Sequence, residues 1–204
     1  MQRDYAVCFF GHREIMDFYK AEAGTEKLLR RLIHEKPYIE FLVGRDGEYD
    51  QIVASTVRRL KRELSSQSCW LTWVLPYAKA ELENNLASFE AYYDSIEICE
   101  SSSILHPKAA IPARNRSLVD RSDLCVFFIE HQSGGAWKTM QYALRQNKQV
   151  INLAKKMANK RYPPELNTEK CMKSKPTPPY QPLPPQPQPC AAKARTTLPP
   201  GLIE

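Results

Sequence analysis

Six short, mostly apolar runs, separated by stretches with helical spacing, constrain this chain more than any other feature. They are Tyr5–Phe10, Ile39–Val43, Trp70–Leu75, Ser95–Ile98, Leu124–Ile129 and Val150–Leu153. Each is short enough for a strand, and most are apolar on both faces. Such strands must be covered on both sides, and parallel strands need long crossovers, which helices supply. The order βαβαβ(α)βαβαβ therefore predicts an α/β protein. Its expected architecture is a Rossmann-like, doubly wound, mostly parallel sheet with helices on both faces.

The intervening stretches carry helical signals. Thr25 is placed to cap a helix whose apolar stripe is Leu28, Leu29, Leu32 and Ile33, ended by Pro37. Ile52, Val53, Val57, Leu60 and Leu64 continue at helical spacing, and Leu82, Leu86 and Phe89 suggest a short helix. Pro112 suits the first turn of a helix carrying Leu118 and Val119. Ser133-Gly134-Gly135 opens the last helix, with Trp137, Met140 and Leu144 on its stripe. There Trp137 reads as core packing rather than as a base-stacking ring.

Composition divides the chain in two. Of 16 prolines, 12 lie from Pro163 onward, and the net charge of +6 splits as +2 over residues 1–156 and +4 over 157–204. Residues 1–156 are expected to form one Rossmann-like domain, and 157–204 a disordered, basic, proline-rich tail. Pro182-Leu183-Pro184-Pro185 favours polyproline II, which offers a docking segment to a proline-recognising protein partner. Because the basic excess lies mainly in the tail, the balance argues against nucleic acid as a partner of the domain.

No apolar run exceeds six residues, so no membrane span or membrane partner is expected, and the start lacks the pattern of a signal peptide. The six cysteines are not spaced as a metal knuckle or redox pair. Reduced thiols in a cytoplasmic protein are the simplest reading. His12, His34, His106 and His131 lack zinc-ligand spacing, so neither a metal nor any other cofactor is expected. A G-x-G-x-x-G turn after the first strand, a P-loop and a G-x-S-x-G elbow are all missing.

In a doubly wound sheet, ligands sit outside the carboxyl ends of the strands. The residues there are Gly11, His12 and Arg13 after the first strand, and Gly44, Gly47 and Asp50 after the second. Arg114 and Asn115 precede the fifth, and Ser133, Gly134 and Gly135 follow it. Glycine turns entering helices let backbone N–H groups approach phosphate, and the arginines supply bidentate charge. Together they predict a small, phosphorylated, nucleotide-like ligand. No catalytic residue is assigned, and self-association is left open.

Cys8-Phe9-Phe10-Gly11-His12-Arg13, the Gly44–Asp50 turn, Arg114-Asn115-Arg116 and Ser133-Gly134-Gly135 with Thr139 and Tyr142-Ala143 resemble the SLOG superfamily. Bacterial YpsA-like proteins are the nearest branch, and the resemblance covers residues 4–154. It implies a Rossmann-like domain binding a nucleotide or nucleotide-derived ligand. Some members are phosphoribohydrolases cleaving nucleoside monophosphates; others are nucleotide sensors, and a DNA-processing branch is thought to bind DNA. The phosphoribohydrolase motif P-G-G-x-G-T-x-x-E, aligned on Gly134-Gly135, meets Ser133, Trp137 and Gln141 at its proline, third glycine and glutamate. An amide cannot act as a carboxylate base. The resemblance thus favours a sensor-type binding domain over the runner-up enzyme, for which Asp50 or Glu130 could substitute as the carboxylate. An adaptor acting through the tail is the third reading.

Overall fold

The computed structural model describes residues 5–154. The proline-rich segment 157–204 and the domain boundary at 156 lie outside the described residues. Six strands alternate with helices: β1 (Ala6–Gly11), α1 (Phe18–Glu35), β2 (Ile39–Val43), α2 (Glu48–Glu63) and β3 (Cys69–Leu75). The short helices α3 (Ala80–Asn84) and α4 (Leu86–Glu90) then lead to β4 (Ser95–Ile98) and the single turn α5 (Glu100–Ser103). After them come α6 (Pro107–Arg121), β5 (Leu124–Phe128), α7 (Gly134–Arg145) and β6 (Gln149–Asn152).

All six strands are parallel, in the order β4-β3-β2-β1-β5-β6. The order in which strands are added reverses between β1 and β5, so these two parallel strands flank a topological switch point. Alternation along β1 assigns its residues to two cores. Val7 and Phe9 join the residues of α1 and α2 on one face, while Ala6, Cys8 and Phe10 meet Leu118, Val119, Met140 and Ala143 of α6 and α7 on the other. Phe9, Phe41, Phe127 and Phe128 are fully buried, each contributing on the order of 2 kcal/mol of hydrophobic transfer. This is the predicted α/β, Rossmann-like, parallel sheet.

Two local expectations need correction. Helix α1 begins seven residues before Thr25, capped by Asp17, whose Oδ1 accepts from Lys20 N–H at 3.0 Å. Thr25 is instead buried on the helix, its Oγ1 3.2 Å from the Tyr49 hydroxyl, so its polar group is satisfied across the core rather than along its own backbone. Pro112 lies inside α6, whereas Pro107 occupies the first turn. Pro112 costs α6 one ladder bond and crowds the Lys108 carbonyl, and the buried Ala110, Leu118 and Val119 offset this by holding the helix to the sheet. Among the described residues, no helix is long and apolar enough to cross a membrane.

Candidate anion-binding cleft

The carboxyl ends of β1 and β5 open onto a cleft of about 350 Å³. Of the residues expected there, Gly11, His12, Arg13, Gly47, Asp50, Arg114, Asn115, Gly134 and Gly135 line it. Gly44 and Ser133 do not. The structure adds Ile111 and Ala136, which no sequence motif had singled out, and Asp46, which the Gly44–Asp50 turn contained without a role.

The two glycine loops differ in kind. At the β2–α2 turn, helix α2 carries Glu48 and Asp50 in its own first turn, so its N-terminal dipole already faces carboxylates. The backbone N–H groups of Gly47 and Asp46 oppose the rise that burial imposes on the Asp50 carboxyl. This loop holds an anion of its own. A Cβ on Gly44 would lie 2.7 Å from both Arg114 Nη1 and Asp50 Oδ2, so Gly44 makes room for a charged pair rather than for a ligand. Gly11 serves likewise: a Cβ there would meet Tyr49 at 2.4 Å.

The β5–α7 turn is open. Gly134 has φ of +83°, a conformation side chains disfavour, and a Cβ on Gly134 or Gly135 would meet nothing within 4 Å. Helix α7 has no acidic residue in its first turn and no side-chain cap, because the Ser133 hydroxyl pairs with His131 Nδ1 at 2.8 Å. Its first N–H groups are therefore available to an external acceptor.

Helix α6 brings charge to the same place. Arg114 is only 5% exposed, its Nη2 lies 3.7 Å from Asp46 Oδ2, and its buried Nε has no hydrogen-bond partner. Burial pushes the Asp50 carboxyl up to about 6, with Arg114 opposing that rise and Asp46 adding to it. Asn115 Nδ2 donates to Thr139 Oγ1 at 3.2 Å, and Thr139 donates to the Gly135 carbonyl at 2.9 Å, tying α6 to the entrance of α7. Asn115 Oδ1 is buried without a partner.

The opposite wall is the β1–α1 loop. The His12 ring stacks on His131, with centroids 3.7 Å apart and planes 11° from parallel. His12 Nε2 accepts from the His131 backbone N–H at 3.3 Å, which places the proton of the neutral ring on Nδ1. Burial first, then the facing His131, holds His12 below its usual value, so the ring is neutral near pH 7. No group of three or more metal-ligating side chains occurs among the described residues. The four cysteines among them are free thiols.

No protein-family model and no curated protein matches the chain. Solved structures do. The fold resembles that of DNA processing protein A. The Streptococcus pneumoniae protein superposes with a TM-score of 0.54 at 15% identity, over 76% of this chain and 52% of that one. For the Helicobacter pylori protein the values are 0.53, 16%, 76% and 68%. The chain thus spans about half the length of the S. pneumoniae DNA processing protein A. The H. pylori structure concerns a single-stranded DNA binding mode. That finding overturns the expectation against nucleic acid as a partner. The expectation rested on net charge, a whole-domain sum that does not register where Arg13 and Arg114 converge.

Proposed function

We propose that the cleft binds the phosphate of a nucleotide or nucleotide-derived ligand, as the SLOG resemblance implies. The phosphate sits at the N-terminus of α7, on the N–H groups that follow Gly134 and Gly135, and Arg114 and Arg13 balance its charge. The observation that carries this reading is the pairing of an uncapped helix N-terminus with a buried arginine whose Nε lacks a partner, in one cleft. Asp50 and Asn115 Oδ1 are acceptors suited to sugar hydroxyls. The loop at Gly44 and Gly47 shapes the wall and positions Asp50.

A second reading has the phosphate belong to a single-stranded nucleic acid. The fold likeness to a DNA processing protein with a single-stranded DNA binding mode favours it. Gln141 on α7, where the phosphoribohydrolase motif has glutamate, argues for binding without bond cleavage.

A thermal-shift panel of mono-, di- and cyclic nucleotides, NAD, ADP-ribose and short single-stranded oligonucleotides tests both readings. A ligand at one hundred times its dissociation constant adds about 2.7 kcal/mol to the stability. Stabilisation by a mononucleotide supports the first reading, and stabilisation by oligonucleotides alone supports the second. No shift with any member of the panel refutes both.

A further inference from the structure

Charge is spread unevenly over the two faces of the sheet. Helices α6 and α7, on one face, carry six cations, Lys108, Arg114, Arg116, Arg121, Lys138 and Arg145, against one carboxylate, Asp120. Helices α1 and α2, on the other, carry eight cations and six carboxylates. Ion pairs neutralise much of the second set, since Arg30 and Arg59 between them engage Glu22, Glu26 and Glu63. On α6, Arg114 is buried at the cleft and Arg121 pairs with Glu97 at 2.7 Å. Lys108, Arg116, Lys138 and Arg145 are exposed and form no ion pair with a described residue.

Helical spacing gathers these charges. Lys138, Tyr142 and Arg145 lie at i, i+4 and i+7 of α7, away from the buried Thr139, Met140 and Ala143. Tyr142 reaches across to α6, its hydroxyl 2.9 and 3.0 Å from the two Asp120 oxygens. Arg116, one turn before Asp120, lines the same groove, of about 620 Å³. The bond to Asp120 first, then burial, raises the Tyr142 hydroxyl above its ordinary value, and Arg116 and Arg145 both oppose the rise, so both charges act on this seam. The seam starts at the cleft, which Arg114 of α6 and Gly134, Gly135 and Ala136 of α7 line. The twelve residues of α7 carry it about 18 Å further.

Exposed cations leading away from a phosphate site match a polyanion whose charges repeat along a flexible chain, whereas a small ligand would meet only the first of them. We infer that the α6–α7 face binds the sugar–phosphate backbone of a single-stranded nucleic acid, with Arg116, Lys138 and Arg145 contacting phosphates beyond the one in the cleft. The inference rests on the second reading of the cleft and adds where the strand runs. Continuity with a phosphate site favours a nucleic acid over an acidic protein.

Fluorescence anisotropy of a short deoxythymidine oligomer on the full chain, over a series of salt concentrations, tests it. For single strands, log affinity falls with log salt by a slope of about 0.7 for each phosphate neutralised. Arg116→Gln, Lys138→Gln and Arg145→Gln should each make the slope shallower by about that amount, and the triple variant should bind roughly tenfold more weakly. All three side chains are exposed, so melting temperatures should stay at the wild-type value. Asp120→Asn removes the one carboxylate on these helices and should tighten binding. Lys27→Gln and Arg62→Gln, exposed on α1 and α2, should leave the slope as it is. An oligomer that the triple variant holds with unchanged affinity and slope would overturn the inference while leaving the cleft reading standing. No binding of the oligomer at low salt would overturn both. Polyglutamate that displaces the oligomer at equal charge concentration would assign the face to an acidic protein and so overturn the inference as well.

Discussion

Gly44 and Arg114 share one volume: a Cβ on Gly44 would lie 2.7 Å from Nη1 and 3.3 Å from Nη2 of the arginine. A glycine at the end of β2 and a charge in the middle of α6 are thus a single packing unit, with Asp50 as the third member. The conformational demand at Gly44 is close approach, whereas at Gly134 it is a positive φ.

That contrast separates the glycines by experiment. Gly44→Ala should destabilise the protein by about 1–3 kcal/mol, since it forces Arg114 or Asp50 out of place. Gly135→Ala adds a methyl group to open space in the cleft, so stability should change by less than about 0.5 kcal/mol while anion affinity falls. Urea unfolding of both variants checks the pair. Equal stability losses would contradict the assignment of Gly44 to packing and Gly135 to the open cleft.

Asp50 gives the protein a defined pH response. Its carboxyl is raised from 3.8 to about 6 by burial. Between those values the folded state keeps a proton that the unfolded state has lost, so this group's contribution to stability falls as pH rises through the window. Above about pH 6 the full penalty is present, on the order of 3 kcal/mol at 1.36 kcal/mol per pKa unit. Asp50→Asn should remove this slope, and its advantage over wild type should grow from pH 4 to pH 6. A constant difference between the two unfolding curves across that range would refute the expectation.

Arg114 should matter twice. Arg114→Ala leaves Asp50 without its buried counter-charge, while Asp46, a third exposed, keeps Lys79 at 2.5 Å, so the loss should be about 1–3 kcal/mol. It should also abolish stabilisation by any phosphorylated ligand. Adding Asp50→Asn to Arg114→Ala should recover part of the stability but none of the binding. Recovery of both in the double variant would show that Arg114 serves the fold alone.

The chain should not release free base. Prolonged incubation with AMP, GMP, CMP and UMP, followed by chromatography, should yield no base above background. Base and ribose 5-phosphate forming in proportion to protein, and lost in Asp50→Asn or Glu130→Gln, would establish hydrolysis and name its carboxylate.

Much of the fold was legible in the chain because the strand signals are local. Leu124–Phe128 is buried at every position, and its apolar run says so directly. The β1–α1 boundary was not legible. Asp17 and Thr25 are both competent N-caps, and the choice depends on whether Thr25 finds the Tyr49 hydroxyl across the core. Residues at the site were legible as strand-end glycines and arginines. Ile111 was not, because an apolar residue carries no such signal until the start of α6 is brought beside β1, and the turn containing Asp46 did not disclose its pairing with Arg114.

By itself the sequence determined the parallel α/β layering, the positions of the crossovers and the end of the sheet at which polar residues gather. These follow from hydrophobic periodicity, which each segment carries alone. Only the tertiary structure decided which glycine loop is open to a ligand. Both loops have the composition of an anion site, but the Glu48 and Asp50 carboxylates occupy the first turn of α2, while Ser133 leaves the start of α7 open by pairing with His131. That difference is set by where a carboxylate and a hydroxyl point once α2, α6 and α7 are packed on the sheet, and spacing along the chain does not encode it.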